Sequence, residues 1–231
     1  MFRTTLTSLA TLALGLVPMI AGATSPSPNQ SILPRGILVV GTQGGVLDEG
    51  GRFEVLVRDA AGVPVPNAEV VLDFSGCART HLCDGAGDPV PTSCSPKLVR
   101  KFADANGRAS FIVVGASPDE GTPPDGVPGP NDPGPGCVRI FANGVELGRC
   151  KAAVFDLNGV RFAGVNGCEV VDQHQWLHAF GIGVYYERYD YDFNGGALNV
   201  TDFSFWVKKF GDGTSYSGCM GPGGAPASFC P

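Results

Sequence analysis

Two windows of this chain align without a gap at a spacing of thirty residues: "VVDQHQWLHAFG" at 170–181 and "VTDFSFWVKKFG" at 200–211. Val170 meets Val200, Asp172 meets Asp202, Trp176 meets Trp206, Phe180 meets Phe210 and Gly181 meets Gly211. The two tryptophans are the only ones in the chain. A Trp-x-x-x-Phe spacing puts both rings on one face of a helix. The glycine that follows supplies a helix stop, and the early aspartate supplies a cap. The pattern predicts two similar helices with Trp176 and Trp206 as packing anchors.

The repeat also decides how "HQWLH" at 174–178 is read. It is one letter from HExxH, which sets two zinc-binding histidines and a glutamate base on one helix face. Gln175 stands where the base belongs and cannot act as one. The second copy has Ser204 and Lys208 at the histidine positions. The repeat therefore does not require a metal there, and "HQWLH" is the middle of a packing helix.

What precedes each helix is also alike. "FDLNG" at 155–159 resembles "YDFNG" at 191–195, and "DYDFNGGALNVTD" places Asp190, Asp192, Asn194, Gly195 and Asp202 in order before the second helix. Calcium takes six to eight oxygens from alternating loop positions, with a carboxylate at the helix entry and a glycine at the sharp turn. Two such loops, each followed by a helix, resemble a dockerin, a family whose loop reads D-x-N-x-D-G-x-x-N-x-x-D and whose partner is cohesin. The resemblance implies Ca2+ as the cofactor. In the second loop it implies Asp190, Asp192, Asn194 and Asp202 as side-chain ligands, a backbone carbonyl near Gly196, and Asn199 through water. In the first it implies Asp156, Asn158 and Asp172, with Asn166 beside them. The chain departs from the family in length. Asp190 to Asp202 spans thirteen residues against the usual twelve, and Asp156 to Asp172 spans seventeen. The polar pair that the family carries before the helix-entry aspartate is replaced by Val170-Val171 and Val200-Thr201. The alternative is that both loops are Asx-rich turns capping helices through Asp172 and Asp202.

Residues 36–155 read as strands. "RFEVLVRDAAGVPVPNAEVVLDFSG" alternates apolar and polar residues on either side of a Gly/Pro/Asn turn. "VRKFADANGRASFIVVG" and "CVRIFANGVELGRCKAAVF" repeat the design. Asn106-Gly107 and Asn143-Gly144 are hairpin signals, because both central positions of the tight turn need positive φ. Short strands with turns at this spacing predict a β-sandwich. "DAAGVPVPNAEVVLDFSG" followed by "ADANGRASFIVVG" resembles the bacterial Ig-like domains of adhesins and surface proteins, which implies a spacer or adhesive role without a catalytic centre. The acidic Pro/Gly stretch 117–136 is read as a flexible insertion between strands, since such composition cannot bury a core. The fold expected is thus mainly β: an Ig-like antiparallel sandwich followed by a small two-helix dockerin-like module at 156–211 and a Gly-rich disulfide tail at 212–231.

The first 23 residues have an early arginine, a short apolar run and an Ala21-Gly22-Ala23 ending, the layout of a secretory signal. Residues 24–35, "TSPSPNQSILPR", read as a Ser/Pro linker. No later stretch is long and apolar enough to span a bilayer. All eight cysteines follow residue 23, and an even count after an export signal reads as disulfides. Eight cysteines allow 105 full pairings; the preferred set is Cys77–Cys137, Cys83–Cys94, Cys150–Cys168 and Cys219–Cys230, with the last favoured because both lie in the Gly/Pro-rich tail. The formal charge of −6 argues against nucleic acid, whose binding depends on Lys and Arg against phosphate.

No segment is left for a catalytic domain. The acidic residues sit in turns and loops, whereas a glycosidase needs two carboxylates facing across a cleft. No Gly-x-Ser-x-Gly elbow occurs. The expectation is a secreted or cell-surface, non-catalytic assembly protein. Its partner is a cohesin-like or cell-envelope protein, in the setting of polysaccharide-degrading or surface complexes. A polysaccharide-binding accessory protein and a purely structural surface protein are the alternatives.

Overall fold

The computed structural model describes residues 24–43, 46–117, 136–157, 170–181, 183, 189–195, 197–211, 216–217 and 229–230. Among these the chain is mainly β. In chain order the strands are β1 (Gly36–Val39), β2 (Thr42–Gln43), β3 (Val46–Leu47), β4 (Phe53–Leu56), β5 (Glu69–Asp73), β6 (His81–Asp88), β7 (Ser93–Cys94), β8 (Lys97–Phe102), β9 (Arg108–Ala116), β10 (Val138–Ala142) and β11 (Val145–Val154). Helices α1 (Val170–Gly181) and α2 (Val200–Gly211) follow, then β12 (Tyr216–Ser217) and β13 (Phe229–Cys230). The helices cover the two aligned windows residue for residue.

The strands form a six-stranded sheet, β1-β11-β10-β5-β8-β7, a four-stranded sheet, β13-β6-β9-β4, and a small sheet, β12-β2-β3. β1 runs parallel to β11, with Gly36 opposite Lys151 and Val39 opposite Val154. Where β1 ends, Val40 crosses to the other sheet and bridges Val114 of β9. One hydrophobic cluster draws inward-facing residues from both larger sheets: Ile37, Val70, Leu72, Val99, Val138 and Ile140 from the first, and Val55, Leu82, Phe111 and Val113 from the second. Strands β5 and β10 alternate buried and half-buried residues as a one-sided strand should. β9 departs from alternation after Ser110 and is buried on both faces. Phe111 and Val113 face the shared core, while Ile112 faces outward into a second cluster made with the helices.

That second cluster joins strand residues Val40, Ile112, Ala153 and Phe155 to Trp176, Ala179, Tyr189, Tyr191, Leu198 and Trp206. The helices therefore share a core with the strands. Trp176 stacks on Phe180 with ring centroids 5.3 Å apart, and Trp206 stacks on Phe210 at 5.0 Å, one face per helix as the four-residue spacing predicts. Lys209 of α2 also pairs with Asp48, beside the turn at Glu49–Gly51.

Several expectations are corrected. The turn at Asn143-Gly144 has φ of 47° and 80° and closes the β10–β11 hairpin as expected. The turn at Asn106-Gly107 does not close a hairpin: β8 pairs with β5 and β7, and β9 with β4 and β6. Only Gly107, at φ 73°, is left-handed there. The Asp104 carboxylate accepts the N–H groups of Asn106 and Arg108, and the Gly107 carbonyl accepts the Val57 N–H, so the chain crosses from one sheet to the other. The Ser/Pro segment 24–35 touches the β part at several residues. Pro26 bridges Asp59, Ile32 bridges Leu56, and Leu33 packs on the core.

The cysteine pairing agrees with the expected set in part. Cys77–Cys137 is formed. Cys94 pairs with Cys230, 136 residues away, in place of both Cys83–Cys94 and Cys219–Cys230. The physical reason is β13, which returns the tail to β6 and sets Cys230 opposite Leu82. Cys83 is disulfide-bonded, and its partner lies outside the described residues. Cys150 is a free, buried thiol rather than the partner of Cys168, which lies outside the described residues. The side chain points from β11 into the shared core. The signal-like segment 1–23 and residues 118–135 of the acidic stretch 117–136 also lie outside the described residues. Among the described residues no helix is long and apolar enough to cross a membrane.

Candidate metal site

The site is built where the loop before α2 folds onto the β1–β11 strand pair. Two residues seat it. Phe193 lies with its ring against the backbone of Gly36, so close that a β-carbon built on Gly36 would fall 2.1 Å from the ring. One strand over, Lys151 sends its ammonium to Asp190, with Nζ 3.5 Å from Oδ2. Phe193 has φ of 53°, a left-handed conformation that costs a non-glycine residue energy. The turn it makes lets successive N–H groups point back at one carboxylate. Asp190 Oδ1 accepts from Asn194 N at 3.1 Å, and Asp190 Oδ2 from Gly195 N at 3.1 Å.

Asp202 enters from the first turn of α2. Asn199 and Asp202 cap that helix reciprocally: Asn199 Oδ1 accepts from Thr201 N at 2.7 Å, and Asp202 Oδ2 accepts from Asn199 N at 3.0 Å. This is the capping-box arrangement with carboxylate and amide roles. Asp202 Oδ1 reaches across the loop to accept from Asp192 N at 3.2 Å. The capping alternative and the ligand set thus use the same residue, since each carboxylate oxygen has a second lone pair.

The result is one acidic cluster. Carboxylate oxygens of Asp190, Asp192 and Asp202 lie within 4.8 Å of one another. Asp190 and Asp202 are almost fully buried, and Asp192 is half-buried. Burial pushes the Asp202 carboxyl above its ordinary range; the N–H groups of Asn199 and Asp192 pull it back, and the neighbouring carboxylates Asp192 and Asp190 push it further up. Three carboxylates so placed repel one another and gain from any cation among them. The side-chain donors are oxygens without sulfur or imidazole, which suits a hard divalent cation rather than zinc.

The sequence-derived site residues divide accordingly. Asp190, Asp192 and Asp202 are brought together. Asn194 is beside them, with its Nδ2 2.9 Å from Asp192 Oδ2. Gly196 and Asn158 lie outside the described residues, as does Asn166. Asp156 and Asp172 are both buried, and Asp172 Oδ1 accepts from Leu157 N at 2.7 Å, a contact to the residue after Asp156, whereas Asp202 accepts from Asp192 itself. Among the described residues no third carboxylate, histidine or cysteine joins them. His174 and His178 likewise belong to no such group. Lys151 and Gly36 carry no sequence signal. They precede the loop by tens of residues and enter the site only through strand pairing.

Beside the cluster runs a cleft lined by Leu38, Arg52, Phe53, Tyr191, Asp192 and Phe205, so Asp192 borders both the carboxylate cluster and the solvent. The chain matches no family model, no curated protein and no solved structure.

Proposed function

We propose that this chain is a secreted or cell-surface, non-catalytic assembly protein. In this reading an Ig-like β part carries a dockerin-like helix pair that docks on a cohesin-like or cell-envelope protein when its second loop holds Ca2+. The observation that carries it is the convergence of Asp190, Asp192 and Asp202 within 4.8 Å at the entry to α2. Asp190, Asp192 and Asp202 would hold the ion, with Asn194 at the loop's glycine turn. Bound there, calcium would neutralise the cluster and fix the loop against β1.

The docking part of the reading is supported by the outer face of the helices. Exposed apolar residues recur in register with the repeat. Val170 and Val200 are 64% and 77% exposed, Leu177 and Val207 are 41% and 43%, and Phe180 and Phe210 are 44% and 41%. Apolar residues left in water at matched positions mark an interaction surface more often than an isolated exposed side chain does. The disulfides Cys77–Cys137 and Cys94–Cys230 support the extracellular part.

Calorimetry on the full chain tests the calcium reading. A ligand that binds the folded state alone stabilises it by RT ln(1 + [L]/Kd). Millimolar calcium should raise Tm for the native sequence and leave Asp202→Ala unmoved. Equal curves with calcium and with chelator for the native chain would remove the calcium-loop reading. The full chain is needed, because the helices complete their core with strand residues.

A further inference from the structure

Lys151 pairs with the acidic cluster, its Nζ 3.5 Å from the oxygen of Asp190 that also accepts Gly195 N. It stands on β11, opposite Gly36 in the parallel pair, so its backbone is fixed by the sheet and not by the loop. Its side chain is 19% exposed and that of Asp190 is 1%. A β-carbon on Gly195 would sit 3.7 Å from the same Nζ, which places the ammonium against the loop's glycine turn as well. A charge in this position does two things. Without a metal it offsets part of the repulsion among three crowded carboxylates. With a divalent ion in the cluster it is a like charge beside it.

We propose that Lys151 is a tethered counter-ion that sets the calcium affinity of the loop. It stabilises the metal-free site and opposes the metal, so the β part tunes a binding site belonging to the helix module. This rests on the calcium reading above. The ammonium does not leave the protein when the ion enters. It loses its hold on Asp190 and turns outward, because the two lone pairs of Asp190 Oδ2 are already taken by Gly195 N and the ammonium, and the ion needs one of them.

The signs are opposite in the two states, and no purely packing role gives that. Removing a unit positive charge a few ångströms from a divalent ion in a partly wet site should tighten calcium binding about tenfold. The same change in chelator should lower Tm by a few degrees. Lys151→Gln and Lys151→Met on the full chain are compared with Lys151→Arg, which keeps the charge, and with Lys208→Gln. The last removes an equal charge from an exposed position on α2. Titration calorimetry with calcium gives Kd, and thermal melts in chelator give Tm.

The proposal expects tighter binding and a lower chelator Tm for Lys151→Gln, with Lys151→Arg and Lys208→Gln near the native chain. Unchanged or weaker binding by Lys151→Gln, alongside a native chain that does bind, overturns it and leaves the calcium reading standing. Binding by Lys151→Gln where the native chain shows none overturns the calcium reading for the native chain, and this proposal with it, and leaves lysine as the resident cation. Absence of binding in every variant overturns both. A measurement on the native chain covers the case in which the variants do not fold. Acylation of Lys151 by an amine-reactive ester, read by mass spectrometry, should rise several-fold when calcium is added. Constant reactivity across a titration that binds calcium counts against the displacement.

Discussion

Phe203 of α2 lies with its ring centroid 5.0 Å from that of Trp176 in α1 and 6.3 Å from that of Trp206, so one phenylalanine spans the two tryptophans of the repeat. The position equivalent to Phe203 in the first helix is Gln173, so the two copies are not interchangeable here. The symmetry of the repeat is broken at the contact that holds the copies together.

Trp176→Ala should therefore cost far more than a lost helix residue. The ring is 1% exposed, stacks on Phe180 and meets Phe203, and Trp→Ala in a packed core costs about 3–5 kcal/mol. His174→Ala, exposed on the same helix, should stay within about 0.5 kcal/mol. Denaturant unfolding in chelator measures both. Equal costs would mean that the helix is held by something other than its tryptophan.

Local pattern made the helices and the metal candidates legible, and topology hid the rest. The 3.6-residue period and the Asp–Asn loop are properties of contiguous residues, so α1, α2 and the grouping of Asp190, Asp192 and Asp202 could be read directly. β5 and β10 could be read for the same reason, since a strand buried on one face alternates. The "DANG" turn could not, because a tight turn between two strands looks alike whether they pair or part to different sheets. Cys94–Cys230 and the contact of Lys151 with Asp190 depend on which strands become neighbours, and that is decided by packing across the whole chain. The second burial face of Ile112 was invisible for a related reason: "FIVVG" is equally apolar whether one side or both sides are covered.

Cys150 gives a chemical check on the corrected cysteine pattern. Burial pushes its thiol up to about 12, so at pH 8 only about one molecule in ten thousand carries the reactive thiolate. Iodoacetamide should leave Cys150 unmodified in the native protein and label it in denaturant without reductant. Under those conditions Cys77, Cys94, Cys137 and Cys230 should stay protected, and a non-reducing peptide map should link Cys94 to Cys230. Recovery of a Cys83–Cys94 peptide would refute the pairing.

Acid sensitivity should report on Asp88, which ties β6 to β8 through Lys101 Nζ at 2.8 Å and to Arg52 at 3.3 Å. The hydrogen bond from Lys101 is the main cause holding this carboxyl below its ordinary value of 3.8, against a smaller opposing effect of burial. A carboxyl whose pKa is lowered by folding contributes stability above its unfolded pKa and loses it as pH falls through the folded one. Asp88→Asn should accordingly destabilise at neutral pH and converge with the native chain once the pH has fallen below the lowered folded pKa. Because the pair is over a third exposed on the Asp88 side, the neutral-pH cost should be under about 1 kcal/mol. A constant gap across the pH range would assign the effect to packing.

Gly36 is the position where the β part and the Asp190–Asp202 loop meet tightly, and it offers a test of their coupling. A β-carbon there would fall 2.1–2.4 Å from three atoms of the Phe193 ring, so the ring or the strand has to move. Phe193 sits between Asp192 and Asn194, and any shift of the ring is carried to the carboxylate cluster. Gly36→Ala should destabilise by about 1–3 kcal/mol, the usual cost of overfilling a packed site, and, on the calcium reading proposed above, should weaken calcium binding in parallel. Phe193→Ala removes the clash, so adding Gly36→Ala to it should cost much less than Gly36→Ala alone, a non-additivity expected only of residues in contact. Additive costs in that double-mutant cycle would show that the loop does not rest on β1 through this pair.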